Sequence, residues 1–339
     1  MGGIFVYLVL RGGKIKEKRI FMCTAISDNF SRHLFGRTLD LEFSYGEEVV
    51  ILPRRYPLKF LHGGVLNSHF AIIGTATLQW GEPLYYDGAN ESGLAGAALN
   101  FPKYASYRTR HDGRLNLSSA ELLPRVLAEC GCVEEARALL KSVNITAESV
   151  SKELPATPLH WIFADKTGAI TVEQTEGGLK IQDNPYGVLT NSPDFPYHTA
   201  NLANYLSLSP RTQECNICKE KVTIYSRGLG GFGMPGDFSS TSRFVRAAFL
   251  RSHTVGEEPV SRFFHIMDSL AVPFGAVRTD EGRAVSTLYT SCFDATACIY
   301  YFTTYENRRI RGIRLTEELA SSDKLTVYPM TSREDILFM

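Results

Sequence analysis

Cys23 is the residue in this chain best equipped for chemistry, because Met22 stands directly before it. A methionine ahead of a small residue is what N-terminal processing removes. Translation from Met22 would therefore give a chain that begins with Cys23. Its free α-amine has an unperturbed pKa of about 7.7–8, suited to a general base near neutral pH. A thiol and a base on one residue make a complete nucleophile pair, the cysteine counterpart of an N-terminal threonine with its own amine. Without other support, a cysteine in this position is simply a core residue.

Other residue patterns point to weaker chemistry. Gly228-Leu229-Gly230-Gly231-Phe232-Gly233 satisfies G-x-G-x-x-G, and the strand-like run 222–226 precedes it. A dinucleotide site needs a helix N-terminus next, to hold a pyrophosphate. Met234-Pro235-Gly236-Asp237 follows instead and breaks a helix, so a loop is expected. Cys215-x-x-Cys218 lacks a second pair at metal spacing, and no histidine stands near it, so these read as incidental thiols. The eight histidines are scattered without H-E-x-x-H or paired spacing, and no G-x-S-x-G elbow is present. No metal and no cofactor is implied.

The elements that must position Cys23 lie in a chain of 339 residues, 44% hydrophobic and 21% charged, an ordinary balance for a globular protein. No apolar run reaches the roughly 18 residues of a membrane span. Lys+Arg and Asp+Glu both number 36, and no basic block appears, which argues against nucleic acid as the main partner. The balance hides an asymmetry: residues 1–22 hold five basic residues against Glu17 alone. Seven cysteines at irregular spacing are no disulfide framework and favour a reducing cytoplasm. The apolar stretch 4–10 has its basic residues after it and no small-residue cleavage site, unlike a secretion signal.

Runs rich in branched and aromatic residues predict strands at 23–27, 33–41, 48–53 and 69–78, broken by turn signals at Asp28-Asn29, Tyr45-Gly46 and Gly63-Gly64. A Gly-rich segment, 87–93, leads to a strand over 94–101. Ser118-Ser119-Ala120-Glu121 reads as a capping signal for a helix over 122–129, and a second helical pattern covers 134–143. Strands are expected at 161–165, 169–174, 179–183 and 187–190. Helices follow at 197–206, 242–252 and 260–269, then strands at 286–292, 297–304 and 310–315. This order is not the strict alternation of a doubly wound parallel sheet. It suits an α+β layered fold with antiparallel sheets covered by helices, in one domain.

Met22-Cys23-Thr24, with Leu34-Phe35-Gly36-Arg37-Thr38-Leu39-Asp40, resembles the opening of the choloylglycine hydrolase family. That family holds bile salt hydrolases and penicillin V acylases and belongs to the N-terminal nucleophile hydrolases. The similarity continues through Ile51-Leu52-Pro53-Arg54, Asp87-Gly88-x-Asn90-Glu91-x-Gly93-Leu94 and Ala98-Leu99-Asn100-Phe101-Pro102. It goes on through Leu159-His160-Trp161, Gly187-Val188-Leu189-Thr190-Asn191-Ser192-Pro193 and Pro235-Gly236-Asp237-Phe238. Ser242-Arg243-Phe244 and Tyr289-Thr290-Ser291 complete it, so that it spans Met22 to about residue 316.

The resemblance implies a four-layered αββα sandwich with antiparallel sheets and a catalytic set at matching positions. Cys23 would be the nucleophile, its thiol attacking an amide carbonyl and its α-amine carrying the proton to the leaving amine. Arg37 and Asp40 would hold the thiolate and the ammonium; without the family they read as a surface ion pair. Asn191 would be the oxyanion-hole side chain, helped by the backbone N–H of Asn100, and Arg243 a second active-site arginine. A cationic pair around the thiol is expected to favour thiolate.

Asn100 favours the bile salt hydrolase branch, since penicillin V acylases tend to carry tyrosine there, although Pro53-Arg54-Arg55-Tyr56 and Asn90-Glu91-Ser92-Gly93-Leu94 read more like an acylase. The implied partner is a conjugated bile salt of the glycocholate or taurocholate class, in an apolar pocket to which Leu39, Phe43 and the 228–233 loop with Leu229 are candidates by position. The resemblance also implies a homotetramer, in addition to the cytoplasmic location and the absence of membrane and nucleic-acid partners read above from the cysteines, the apolar runs and the charge. Alternatives are a penicillin V acylase, or a catalytically silent binding protein keeping Arg37, Asn191 and Arg243. Residues 1–22 depart from the family. Either the true start is Met22 and the extension is an upstream leader read through, which the abrupt composition shift favours, or it is a propeptide cut before Cys23.

Overall fold

Two strands, Met22–Asp28 and Leu34–Leu41, pair antiparallel across the expected turn, with Cys23 opposite Leu39 and Ala25 opposite Arg37. Every residue of both strands except Met22 is buried, including Thr24, Arg37, Thr38 and Asp40. Burial on both faces removes the polar alternation of a half-solvated strand, which is why these segments read as continuous runs. The computed structural model describes residues 22–78, 81–151, 156–214, 218–331 and 333–339. Of the expected 1–22 extension, only Met22 falls among them.

The pair sits inside a sheet that runs Val188–Leu189, Met22–Asp28, Leu34–Leu41, Ala284–Asp294, Ile299–Thr304, Arg311–Arg314. A second sheet runs Gly178–Asp183, Gly168–Thr175, Leu159–Asp165, Ala95–Asn100, Leu84–Asn90, Ile72–Thr77, Glu48–Leu52, Thr326–Pro329. All of these neighbours are antiparallel. The sheets face each other, with Met22–Asp28 and Leu34–Leu41 against Ala95–Asn100. Helices Ser240–His253 and Pro259–Asp268 cover the outer face of the first sheet, and Leu122–Glu129 and Val133–Leu140 cover the second. The result is the four-layered αββα, α+β arrangement. One apolar cluster, with Ile26, Phe35, Ile73, Leu99, Phe244 and Phe293, joins the sheets to the first helix layer. Another, with Leu123, Val126, Trp161 and Phe163, lies under the second. Each such side chain contributes about 1.5–3 kcal/mol by leaving water.

The expected helices over 122–129, 242–252 and 260–269 form within two residues of those bounds. That over 134–143 ends at Leu140, before a strand at Val143–Thr146, and that over 197–206 becomes Phe195–Asn201 followed by a 3-10 turn, Leu202–Tyr205. Half of the expected capping box forms: Glu121 Oε2 accepts the Ser118 N–H at 2.8 Å, while the Ser118 hydroxyl has no partner. The Gly-rich 87–93 segment is a finding against the sequence reading, since its first half completes the strand Leu84–Asn90. Its glycine allows close backbone approach: a Cβ on the neighbouring Gly74 would lie 2.2 Å from the Asp87 carbonyl oxygen and 2.5 Å from Gly88 Cα. The run 222–226 forms no strand, and Leu229–Gly231 is a single 3-10 turn after Gly228 at φ 82°. No helix begins there to hold a phosphate. Cys215 lies outside the described residues.

Gly36 lies where two strands approach most closely, and a Cβ there would stand 1.9 Å from the Ser291 carbonyl oxygen. Gly36→Ala should therefore cost at least about 3 kcal/mol, seen as a lower urea midpoint, whereas Gly177→Ala, whose Cβ meets nothing nearer than 3.7 Å, should stay within about 0.5 kcal/mol. Equal midpoints would contradict this packing.

Two buried histidines make a second expectation. Burial lowers His33 and His198, the latter stacked 4.8 Å from the Phe244 ring, from 6.5 to about 4. Folding holds both rings neutral. The stability they confer is complete above pH 6.5 and is lost as the pH falls from there through 4. The urea midpoint should fall over that window, less steeply in His198→Phe; an identical slope in the variant would refute the assignment.

Candidate active site

The register of the central strand pair decides which groups surround Cys23. Directly opposed residues of an antiparallel pair share a face, and the face alternates along each strand. Cys23, Leu39, Ala25 and Arg37 therefore point to the space between the sheets. Arg37 bears this out, crossing to the second sheet to donate from Nη1 to the carbonyls of Tyr86 (3.0 Å) and Ala98 (2.7 Å). Its Nε donates to Thr38 O at 3.2 Å. Burial opposes its charge, but Cys23, Tyr289, Asp87 and Asp40 outweigh that effect and hold its pKa above the ordinary value.

Thr24, Thr38 and Asp40 point the other way, to the helix layer. Asp40 Oδ1 accepts from Thr287 Oγ1 at 2.6 Å, and Oδ2 from Thr38 Oγ1 at 3.4 Å. Burial raises the Asp40 carboxyl, against the pull of Arg243, Thr287 and Arg37. Arg37 and Asp40 are thus no surface ion pair. Both are fully buried, and a separation of three puts them on opposite sides of one strand, flanking Cys23.

Arg243 comes from the first turn of Ser240–His253, a helix capped by the Ser239 side chain. Its Nη1 donates to the Cys23 carbonyl and, at 2.6 Å, to Thr24 Oγ1; its Nη2 donates to Asn191 Oδ1 at 2.7 Å. Asn191 follows the strand Val188–Leu189 and is gripped on every side. Its Oδ1 also accepts the Cys23 backbone N–H at 2.8 Å, and its Nδ2 donates to Asn100 O at 2.9 Å. Its own N–H goes to Ser240 Oγ and its carbonyl accepts from His198 Nε2, both at 2.8 Å. Asn100 meets Asn191 through its backbone carbonyl.

Cys23 itself corrects one expectation. Burial raises its thiol above the ordinary value and Asp40 adds to the rise, outweighing Arg37, Arg243 and the Asp40 backbone N–H, which pull it down. The two guanidiniums act in the expected direction but do not win. With Met22 attached, the Cys23 nitrogen is a peptide N–H, without basicity.

The structure brings Cys23, Arg37, Asp40, Asn100, Asn191 and Arg243 into one cluster. The pocket candidates fare differently. Leu39 is 3% exposed and opposes Cys23 in the core. Phe43, at 36% exposure, stands at the surface with its ring 4.9 Å from Tyr45. Leu229 is half-buried, and the bonds of its turn run to Ser209 rather than to the cluster. Supporting residues went unread in the sequence. His160, fully buried and stacked 4.3 Å from the Phe101 ring, donates from Nε2 to Thr190 O at 2.9 Å, with Glu173 on its other nitrogen. Alternation from Cys23 would have put Thr24 on the Asp40 face; His160, His198 and Ser240 left no comparable signal. Among the described residues no group of three or more His, Cys, Asp or Glu side chains is placed to hold a metal ion.

Residues 23–328 match the family of linear amide C–N hydrolases known as the choloylglycine hydrolase family. The chain is 43% identical over 317 residues to a bile salt hydrolase/transferase of Lactiplantibacillus plantarum, covering 92% of this chain and 98% of that one. A mutant of the conjugated bile acid hydrolase from Clostridium perfringens has a similar structure, with TM-score 0.86 and 36% identity over 94% of this chain and 99% of that one. A penicillin V acylase from Agrobacterium tumefaciens shares the fold, with TM-score 0.71 and 22% identity over 90% of each chain. The match to the family begins at the cysteine itself, and this chain belongs to the choloylglycine hydrolase family of linear amide hydrolases.

Proposed function

We propose that this protein hydrolyses the amide bond that joins a bile acid to glycine or taurine, through a thioester on Cys23. One observation carries the reading: Asn191 Oδ1 and Arg243 together fix the Cys23 nitrogen and carbonyl. Backbone atoms of an ordinary core cysteine need no such clamp. The relatives named for bile salt or conjugated bile acid hydrolysis support the substrate class, and the more distant acylase speaks only to the fold.

Loss of Met22 turns the Cys23 N–H into an α-amine still held by Asn191 Oδ1. The thiol then adds to the amide carbonyl and its proton passes to the α-amine. The negative oxygen of the tetrahedral intermediate takes the second N–H of Asn191 Nδ2, the first being bound to Asn100 O. Collapse breaks the C–N bond, and the α-amine hands its proton to the departing glycine or taurine nitrogen. Water, activated by the same amine, cleaves the thioester and restores the thiol. Arg243 holds the residue still throughout, and Arg37 and Asp40 set the charge on either side. Phe43 is the surface-facing candidate for the steroid; Leu39 and Leu229 form the deeper and outer parts of this proposal. A homotetramer belongs to the same reading by family resemblance, and a cytoplasmic location by the cysteines.

Protein expressed from Met22, with Cys23 at its N-terminus by intact mass, should release glycine from glycocholate and taurine from taurocholate. Cys23→Ala should lower that release at least about 10³-fold. Release from penicillin V alone would move the enzyme to the acylase branch, and no release by protein with a free Cys23 would leave a binding protein. Asn191→Ala should lower kcat about 10²–10³-fold, as loss of an oxyanion donor does. A change confined to KM would show that Asn191 binds substrate without stabilising the intermediate.

A further inference from the structure

Arg37 is a buried cation with no carboxylate among its hydrogen-bond partners in the described residues. Its guanidinium donates to the carbonyls of Thr38, Tyr86 and Ala98, and among the described residues Nη2 has no partner. A guanidinium out of water needs a counter-charge nearby. Asp40 faces the opposite layer, with its oxygens engaged by Thr287 and Thr38. The carboxylate on the Arg37 side is Asp87, on the strand Leu84–Asn90 of the second sheet, one residue beyond the Tyr86 carbonyl that Arg37 binds.

Asp87 is itself buried, and three hydroxyls donate to it across the gap between the sheets. Tyr289 gives to Oδ1, and Ser291 (2.8 Å) and Tyr300 (2.7 Å) give to Oδ2. Ser291 Oγ also accepts the Arg37 backbone N–H at 3.1 Å, so a continuous chain of bonds links the carboxylate to Arg37. Burial raises the Asp87 carboxyl, and Arg37 with the three hydroxyls opposes that rise, an arrangement that favours the anion.

We propose that Asp87 is the ionised counter-charge of Arg37 and a positioning residue for Cys23, anchoring the guanidinium from the second sheet and limiting how far its field drives the thiol to thiolate. This rests on the reading of Cys23 as nucleophile. The groups facing the thiol are Arg37 between the sheets and Asp40 and Arg243 on the helix side; those facing Asp87 are Arg37, Tyr289 and Tyr300. With Asp87 neutral, the positive field of Arg37 at Cys23 is less compensated, and thiolate becomes easier to form.

The test is the pH dependence of Cys23 alkylation by iodoacetamide, followed peptide by peptide in protein with a free Cys23. In Asp87→Asn the profile should move to lower pH by about one unit, the size expected for loss of a buried like charge. An unmoved or alkaline-shifted profile overturns the proposal. Should the single variant not fold, because it strands a buried guanidinium, Asp87→Asn with Arg37→Met removes both charges and should recover folded protein. Failure to recover it overturns the pairing. No release of glycine from glycocholate by the unaltered protein with a free Cys23 would overturn the nucleophile reading and this one with it. Release with an unmoved alkylation profile in Asp87→Asn overturns the role of Asp87 alone.

Discussion

The strand that carries Cys23 has a second sheet on one face and a helix on the other, and neither face meets water. Charge brought to Cys23 in such a layer loses its hydration and must be compensated by groups built into the fold. The arrangement follows from that constraint. Arg37 spends its donors on carbonyls of both sheets, Asp40 is bound by two threonine hydroxyls, and Arg243 takes the Cys23 carbonyl, Thr24 and Asn191 together. Asn191 is held by four other residues besides Arg243: Cys23, Asn100, His198 and Ser240. A site this constrained needs no rearrangement of its donors as charge develops, which is the condition under which fixed dipoles lower a barrier most.

Burial also separates two kinds of control. Arg37 acts on the thiol from between the sheets and Asp40 and Arg243 from the helix side, while Arg243 and Asn191 hold the backbone of the same residue. Burial and Asp40 raise the thiol in spite of two guanidiniums. It must hand over its proton as it reacts, and the group in reach is its own nitrogen, already fixed by Asn191. That nitrogen has basicity only once Met22 is gone. On the proposed mechanism, removal of Met22 and proton transfer concern the same nitrogen.

The layered α+β fold and most helices were legible because strand runs and helix caps are local signals. The Leu84–Asn90 strand was hidden: its Gly88 reads as a turn residue, and only the approach of Gly74 from the neighbouring strand gives it a packing role. In the site, the resemblance supplied residue types and order but not orientation. Arg37 and Asp40 look like neighbours in sequence, and strand periodicity alone puts them on opposite faces. The part played by Asn100 through its carbonyl, and the support of Asn191 by His198 and Ser240, depend on contacts across 91, 7 and 49 residues. The longer two leave no trace in any local pattern. The two arginines pull the thiol down as expected, but the opposing effect of desolvation was not legible, since it is a property of the packed layers and not of the nearby charges.

The central claim is that bond cleavage passes through an acyl group on Cys23. Hydroxylamine added during turnover competes with water for such a thioester, and the ratio of bile acid hydroxamate to free bile acid can be read by mass spectrometry. A shared acyl-enzyme requires the same ratio from glycocholate and taurocholate, because the leaving amine has departed before the choice is made. The ratios should be identical, with both products lost in Cys23→Ala. Ratios that differ with the leaving amine, or hydroxamate formed without Cys23, would contradict it.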